Sequence, residues 1–345
     1  MRRAGGPRPW LAFALVLASC NDQIIGALPL ETTGATDDEA STGEGAGTSA
    51  GATTEAASAT TAGEPAAGVF VAVGERARRL TTLDLGETWP YEQLGLEGDP
   101  EQLLRAVTVG ESRVVAVGGL DFGRSAASDD GVSWEVAEDA LPVLQDVVYG
   151  NGTFVAVGVD GRRARSTDGL VWEEVPVDEL DFFVSIAFGA GVFVTTGYNG
   201  VRLRSVDGWT WTDRVLEFGE GYTDVVHGNG RFLAISRDSG RVVVSEDGAE
   251  WSSGAALGTL GKGLCFGDGV FLALGEGVAH RSPDGLEWTS AAAPVELERC
   301  AYGEGRFLAL AYPDARWRSL DGVAWEPLDE GAAQGPALGD IAFVP

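Results

Sequence analysis

Histidine is nearly missing from this chain, with two residues in 345, and cysteine occurs three times. His227 and His280 both sit inside alternating strand patterns, and His227 fills a slot that Tyr149, Phe188, Phe266, Tyr302 and Phe343 fill elsewhere. A histidine-ligated metal centre is therefore poorly supplied, no EF-hand-like spacing supports calcium, and no cofactor is expected. Positive charge is scarce too: 24 Lys and Arg face 52 Asp and Glu, a net charge of −28. Binding a phosphate backbone requires clustered Lys and Arg, so nucleic acid is excluded as a partner. Long apolar runs are also missing. The stretch Trp10–Leu17 falls well short of the ~20 residues that span a bilayer. From Asn21 to Ala67 large apolar residues stop at Leu30, and eight acidic residues stand with no basic one. Such a segment cannot bury enough surface to offset its ordering entropy. Residues 20–67 are expected to be a disordered acidic tether with a span of roughly 40 Å.

The N-terminus has the layout of an export signal: Arg2, Arg3 and Arg8, then the apolar stretch. It ends in Leu17-Ala18-Ser19-Cys20, which resembles the lipobox of bacterial lipoproteins. The resemblance implies a signal peptide over residues 1–19 and acylation of Cys20. Acyl chains bury at ~0.8 kcal/mol per CH2, so the result is a firm membrane anchor. Asn21 after the cysteine implies, by the same resemblance, sorting to the outer membrane, on its periplasmic side or the cell surface. Cys265 and Cys300 would then lie in an oxidising compartment.

What the chain has in abundance is self-similarity. Ser-x-Asp-Gly-x-x-Trp occurs at Ser128-Asp130-Gly131-Trp134, Ser166-Asp168-Gly169-Trp172, Ser205-Asp207-Gly208-Trp211, Ser245-Asp247-Gly248-Trp251, Ser282-Asp284-Gly285-Trp288 and Ser319-Asp321-Gly322-Trp325. A first copy, Thr82-Leu83-Asp84-Leu85-Gly86-Glu87-Thr88-Trp89, is one residue longer. The Trp residues recur every 37 to 45 residues, the length of a four-stranded propeller blade. Asp and Ser side chains bond backbone amides in a tight turn, and Gly supplies the positive φ such a turn needs. Before each turn stand two apolar runs around a Gly-rich hairpin, clearest at Asp146–Gly158 with Asn151-Gly152 at its tip. Each blade thus reads inner strand, second strand, third strand, aspartate turn, outer strand.

The turn sequence resembles the Asp-box, or BNR, repeat of sialidases, sortilin-type receptors and a photosystem II assembly factor, over about residues 68 to 345. The first copy matches the usual Ser/Thr-x-Asp-x-Gly-x-Thr-Trp spacing, and the other six lack the residue between Asp and Gly. The resemblance implies an all-β propeller in which Asp84, Asp130, Asp168, Asp207, Asp247, Asp284 and Asp321 are structural. The body opens on a second strand, Val69–Gly74, and ends on an orphan inner strand, Asp340–Phe343. Joining them closes a seven-bladed ring of four-stranded blades, expected to be a monomer. Cys265 and Cys300 fall on consecutive inner strands with opposite facing parity. If those faces look at each other, a disulfide links two blades; otherwise both are buried free thiols.

In a propeller of this strand order, the second-to-third loops and the outer-to-inner connections share one face, where propellers generally carry ligand sites. Candidate residues there are Phe122, Asp160, Phe182, Phe183, Tyr198, Tyr222 and Asp314, with Phe218 and Tyr312 nearby. Further carboxylates are Asp121, Asp178, Glu179, Asp181, Glu217 and Glu220. Carboxylates beside aromatic rings suit a sugar, a cationic ligand or a basic protein patch. Sialidases need an Arg triad, a Tyr-Glu nucleophile pair and an Asp acid. No matching N-terminal Arg motif is present, and Arg165, Arg204, Arg281 and Arg318 recur before the turn serine as a ring feature. The leading expectation is a non-catalytic scaffold at the cell envelope that binds a protein partner or glycan. The alternatives are a sialidase-like glycoside hydrolase or lyase, and an assembly factor for an envelope complex.

Overall fold

Seven four-stranded antiparallel sheets make up the computed structural model of the protein. It describes residues 68–95, 102–138, 141–177, 179–328 and 335–345. The expected signal, Cys20, the tether and Asp178 lie outside the described residues. Blade 1 holds Val69–Gly74, Arg79–Thr82 and Tyr91–Gln93 and takes its inner strand, Leu338–Val344, from the C-terminus. Blades 2 to 7 run consecutively, with inner strands Leu104–Val109, Leu144–Gly150, Phe183–Gly189, Tyr222–Gly228, Gly263–Gly267 and Leu297–Gly303. The closing pair is in register from Val69↔Val344 to Val73↔Asp340, so no edge strand is left at the inner rim. The sequence expectation of a seven-bladed, all-β ring closed in this way holds.

The second strand of each blade is a near-continuous apolar run, such as Phe154–Val157, because both of its faces are covered by neighbouring blades. The outer strands are short and solvent-facing, as at Glu173–Glu174. The core is consequently seven wedges, one at each blade junction; Phe183, Val155 and Phe193 fill the wedge between blades 3 and 4.

The aspartate turns lock those wedges. In blade 3, Ser166 Oγ accepts the Gly169 N–H at 2.8 Å, and Asp168 Oδ1 accepts Leu170 and Val171 N–H at 2.9 Å each. Gly169 has φ +76°, and a Cβ there would lie 2.3 Å from Val115 of blade 2. Glycine is required twice over, by conformation and by close approach. Trp172 then donates its indole N–H to Gly169 O at 3.1 Å and packs into the wedge against blade 2. In the longer first copy, Leu85 absorbs the extra residue at φ +60°.

A second ring lies at the ends of the inner strands. His227 and Phe232 stand 4.7 Å apart, the same tilted pair that Tyr149 makes with Phe154 and Phe266 with Phe271. Each such ring lies on the terminal glycine of the preceding blade: a Cβ on Gly189 would be 1.9 Å from the His227 ring. Burial holds the His227 pKa below the usual value, which keeps the ring neutral among its aromatic counterparts. Cys265 of blade 6 and Cys300 of blade 7 are joined in a disulfide, with Cα atoms 5.8 Å apart.

Candidate functional site

The two faces of the ring differ in what they can offer. Asn151, at the tip of a first hairpin, donates to Val206 O in the next blade's aspartate turn at 3.1 Å. Hairpin tips and aspartate turns therefore share one face, here the turn face. Gly68, where the described chain enters the ring, lies against Phe343 and beside Glu304 of a hairpin tip, on that same face. On the opposite, upper face, second-to-third loops meet outer-to-inner connections: Gly161 N–H bonds Asp181 O at 2.5 Å, and Glu217 N–H bonds Asn199 O at 2.9 Å.

The seven candidate residues divide. Phe122 and Asp160 are exposed on the upper face, and Phe182 and Tyr198 are half-buried there. Phe183, Tyr222 and Asp314 are not surface groups, and their placement as ligand contacts is corrected. Phe183 is 1% exposed, because alternation along a strand turns it inward where it turns Phe182 outward. Asp314 is buried in an ion pair with Arg78 at 2.7 Å and accepts Gly335 N–H at 3.0 Å. Tyr222 is fully buried.

Around Tyr222 a polar network has formed that no single repeat announced. Its hydroxyl donates to Glu217 Oε2 at 3.2 Å and accepts from Arg202 at 3.1 Å. Glu217 also pairs with Arg202 at 3.0 Å and with Arg241. Burial alone would raise the Glu217 pKa; the bond and charge from Arg241, then the charge of Arg202, hold it below the usual carboxylate range. A tyrosine, a glutamate and two arginines are groups that sialidase chemistry uses. Here, however, burial pushes the Tyr222 hydroxyl up to about 12, and no substrate can reach it. The network fastens the loops of blades 4 and 5 together.

Above that network the upper face is aromatic. Phe182 and Tyr198 stack with ring centroids 4.4 Å apart and an interplanar angle of 16°. Arg237 of blade 5 lies over the Tyr198 ring at 5.3 Å and donates to its hydroxyl at 3.0 Å. Phe218, on the loop that carries Glu217, is 78% exposed, and Leu180, two residues before Phe182, is 83% exposed.

A third feature lies on the ring axis, where Arg105, Asp146, Ser185, Asp224, Arg299 and Asp340 line a cavity of about 120 Å³. Asp146 accepts Ile186 N–H, Asp224 accepts Leu264 N–H and Asp340 accepts Val107 N–H, at 2.8, 2.7 and 2.8 Å, each from the next blade. These carboxylates clasp neighbouring blades. Burial foremost, then the charges of Asp340 and Asp224, push Asp146 up to about 8, and burial pushes Asp340 up to about 6. Among the described residues, no group of three or more His, Cys, Asp or Glu is placed to hold a metal ion.

No protein-family model and no curated protein matches the sequence. In fold, the chain is similar to YCF48 bound to a D1 peptide, at 17% identity and TM-score 0.56, over 71% of this chain and 89% of that one. YCF48 from Cyanidioschyzon merolae gives 18% identity and TM-score 0.54, over 70% and 88%. Virginiamycin B lyase from Staphylococcus aureus gives 12% identity and TM-score 0.57, over 76% and 95%. At these identities the likeness establishes the propeller fold alone.

Proposed function

We propose that this propeller is a non-catalytic binding scaffold, exported and lipid-anchored at the bacterial cell envelope, that holds a protein partner on its upper face. The observation that carries the reading is the aromatic cluster of Phe182, Tyr198 and Arg237, beside the exposed Phe218. Rings with a cation fixed over them, standing beside exposed apolar side chains, have the make-up of protein-binding hot spots rather than of a reacting centre. The cluster also lies opposite the face on which Gly68 enters the ring. The YCF48 propeller bound to a D1 peptide adds that a fold of this kind can hold a peptide.

The test is crosslinked recovery of partners from intact envelopes, comparing the natural chain with a Phe182→Ser, Phe218→Ser double variant. Phe183 is left untouched because it belongs to a wedge. A stoichiometric protein lost in the double variant supports the scaffold. A partner recovered equally from both, or no protein partner together with turnover of glycosides by the purified chain, overturns it.

A further inference from the structure

We propose that the upper face across blades 3, 4 and 5 accepts an extended, positively charged segment of its partner, an assignment that rests on the scaffold reading. Leu180 and Phe218 are the two most exposed large apolar residues described, and both lie in this sector. They belong to one tract. Gly161 N–H ties the loop of Asp160 to Asp181, and Arg214 ties Asp181 to the strand that leads to Phe218, through bonds of 2.8 and 2.7 Å. The Phe182–Tyr198 stack joins the segment that follows Leu180 to the loop of Asn199, whose carbonyl accepts the Glu217 N–H next to Phe218. An apolar tract laid over three consecutive blades matches an extended chain better than a compact ligand.

The charge on this tract decides the partner's sign. Its arginines are all engaged: Arg214 with Asp181, Arg202 and Arg241 with Glu217, Arg162 with Glu174, and Arg237 with Asp238 as well as the Tyr198 hydroxyl. Asp181, Glu217 and Glu174 are spent on those arginines, and two further carboxylates are left over. Asp160 and Glu179 are exposed, and neither is hydrogen-bonded or paired at contact distance among the described residues, though the Glu179 charge acts on Arg214 from farther away. Asp160 stands at the tip of its loop with φ +54°. The charge left free beside the exposed rings is therefore negative. A Lys or Arg side chain can place its charge by Asp160 or Glu179 and lay its stem, or a neighbouring apolar residue, on Leu180 and Phe218.

The test uses the full chain and a fluorescently labelled peptide of alternating Lys and Phe, with a Glu-Phe peptide of the same length as counterpart, read by anisotropy. The Lys-Phe peptide is expected to bind and the Glu-Phe peptide to fail. Asp160→Asn with Glu179→Gln should weaken binding at least tenfold, as should Phe218→Ser. Asp121→Asn with Glu111→Gln, an equal charge change outside the sector, should leave it unchanged. Equal weakening by that control pair, equal binding of the Glu-Phe peptide, or no binding of the Lys-Phe peptide overturns the assignment. If the assignment falls while Phe182→Ser, Phe218→Ser still abolishes recovery of the envelope partner, the scaffold stands and only the partner's charge is wrong. Loss of both results removes the scaffold as well.

Discussion

Phe182 and Phe183 are neighbours in sequence and opposites in role. Phe182 stacks on Tyr198 at the upper face, and Phe183 fills the wedge between blades 3 and 4 under the Arg163 guanidinium, 5.6 Å from its ring. Replacing Phe183 with Ser should cost ~3–5 kcal/mol, as core Phe truncations do, while Phe182→Ser should forfeit only a surface stack of ~0.5–1.5 kcal/mol. Parallel thermal melts of the two variants check this; equal losses would contradict the placement. The same residues mark where the sequence is readable and where it is not. Strand alternation makes it legible that one ring of the pair points in. Which one does depends on a register shift between Phe183 and Ser185, and nothing local in the sequence announces that bulge. Tyr222 escaped for a related reason: Arg202 and Arg241, which bury it, come from the third strands of two different blades.

Two rings of aspartates act on stability with opposite signs. In the aspartate turns, bonds from backbone amides hold the carboxyls low: at Asp284 the N–H groups of Leu286 and Glu287 do so, at Asp321 those of Ala324 and Val323. A depressed carboxylate stabilises the fold above its unfolded pKa of about 4, and that contribution is lost as pH falls through the folded value. On the axis the sign reverses. Asp146, at about 8, keeps in the folded state a proton that the unfolded chain releases near pH 4. Its contribution is full below about pH 4 and is lost as pH rises to about 8. The melting temperature should therefore fall between pH 5 and pH 9. Asp146→Asn should flatten that fall and raise the midpoint at pH 8, by about 2–4 °C per kcal/mol relieved in a domain of this size. A midpoint that rises from pH 5 to 8, or a variant with an unchanged slope, would contradict the axial account. The turn ring was legible, because its residues recur at fixed spacing. The axial ring shows only when the repeats are laid on one another: Asp340, Ala106, Asp146, Ser185, Asp224, Gly263 and Arg299 occupy one position in turn. Carboxylates alternate with smaller side chains, and an odd count cannot alternate to the end. Arg299 fills the seventh place, donating to Lys262 O at 2.6 Å, and a Cβ on Gly263 would lie 3.2 Å from its guanidinium. Gly263 has no side chain to clasp blade 7, and there the disulfide joins the blades. Substituting both Cys265 and Cys300 with Ala should cost about 2–4 kcal/mol, given the 35-residue separation they close. An unchanged midpoint in denaturant would show that the bridge is redundant.

Across the whole molecule, the repeat pattern carries the blade count, the strand order and the C-terminal closure, because every blade must bury its second strand against two neighbours. Function is less legible, because the sector that differs from the rest is assembled from loops of three blades, each unremarkable when read alone. The polarity of the ring supplies what the loops lack: hairpin tips, aspartate turns and the start of the described chain lie on one face, and the aromatic sector lies on the other. If the chain is tethered through Cys20, substituting Cys20 with Ser should abolish incorporation of a labelled fatty acid and release the protein from membranes; retention of the label would remove the anchor. The central claim is that the upper face binds a protein partner, and site-specific photocrosslinking in intact envelopes tests it most directly. A photoreactive residue is placed at Phe218 on the upper face or at Val171, which is also exposed, on the turn face. A discrete protein adduct from position 218 and none from 171 is the expected result; adducts from 171 alone, or from neither, would contradict it.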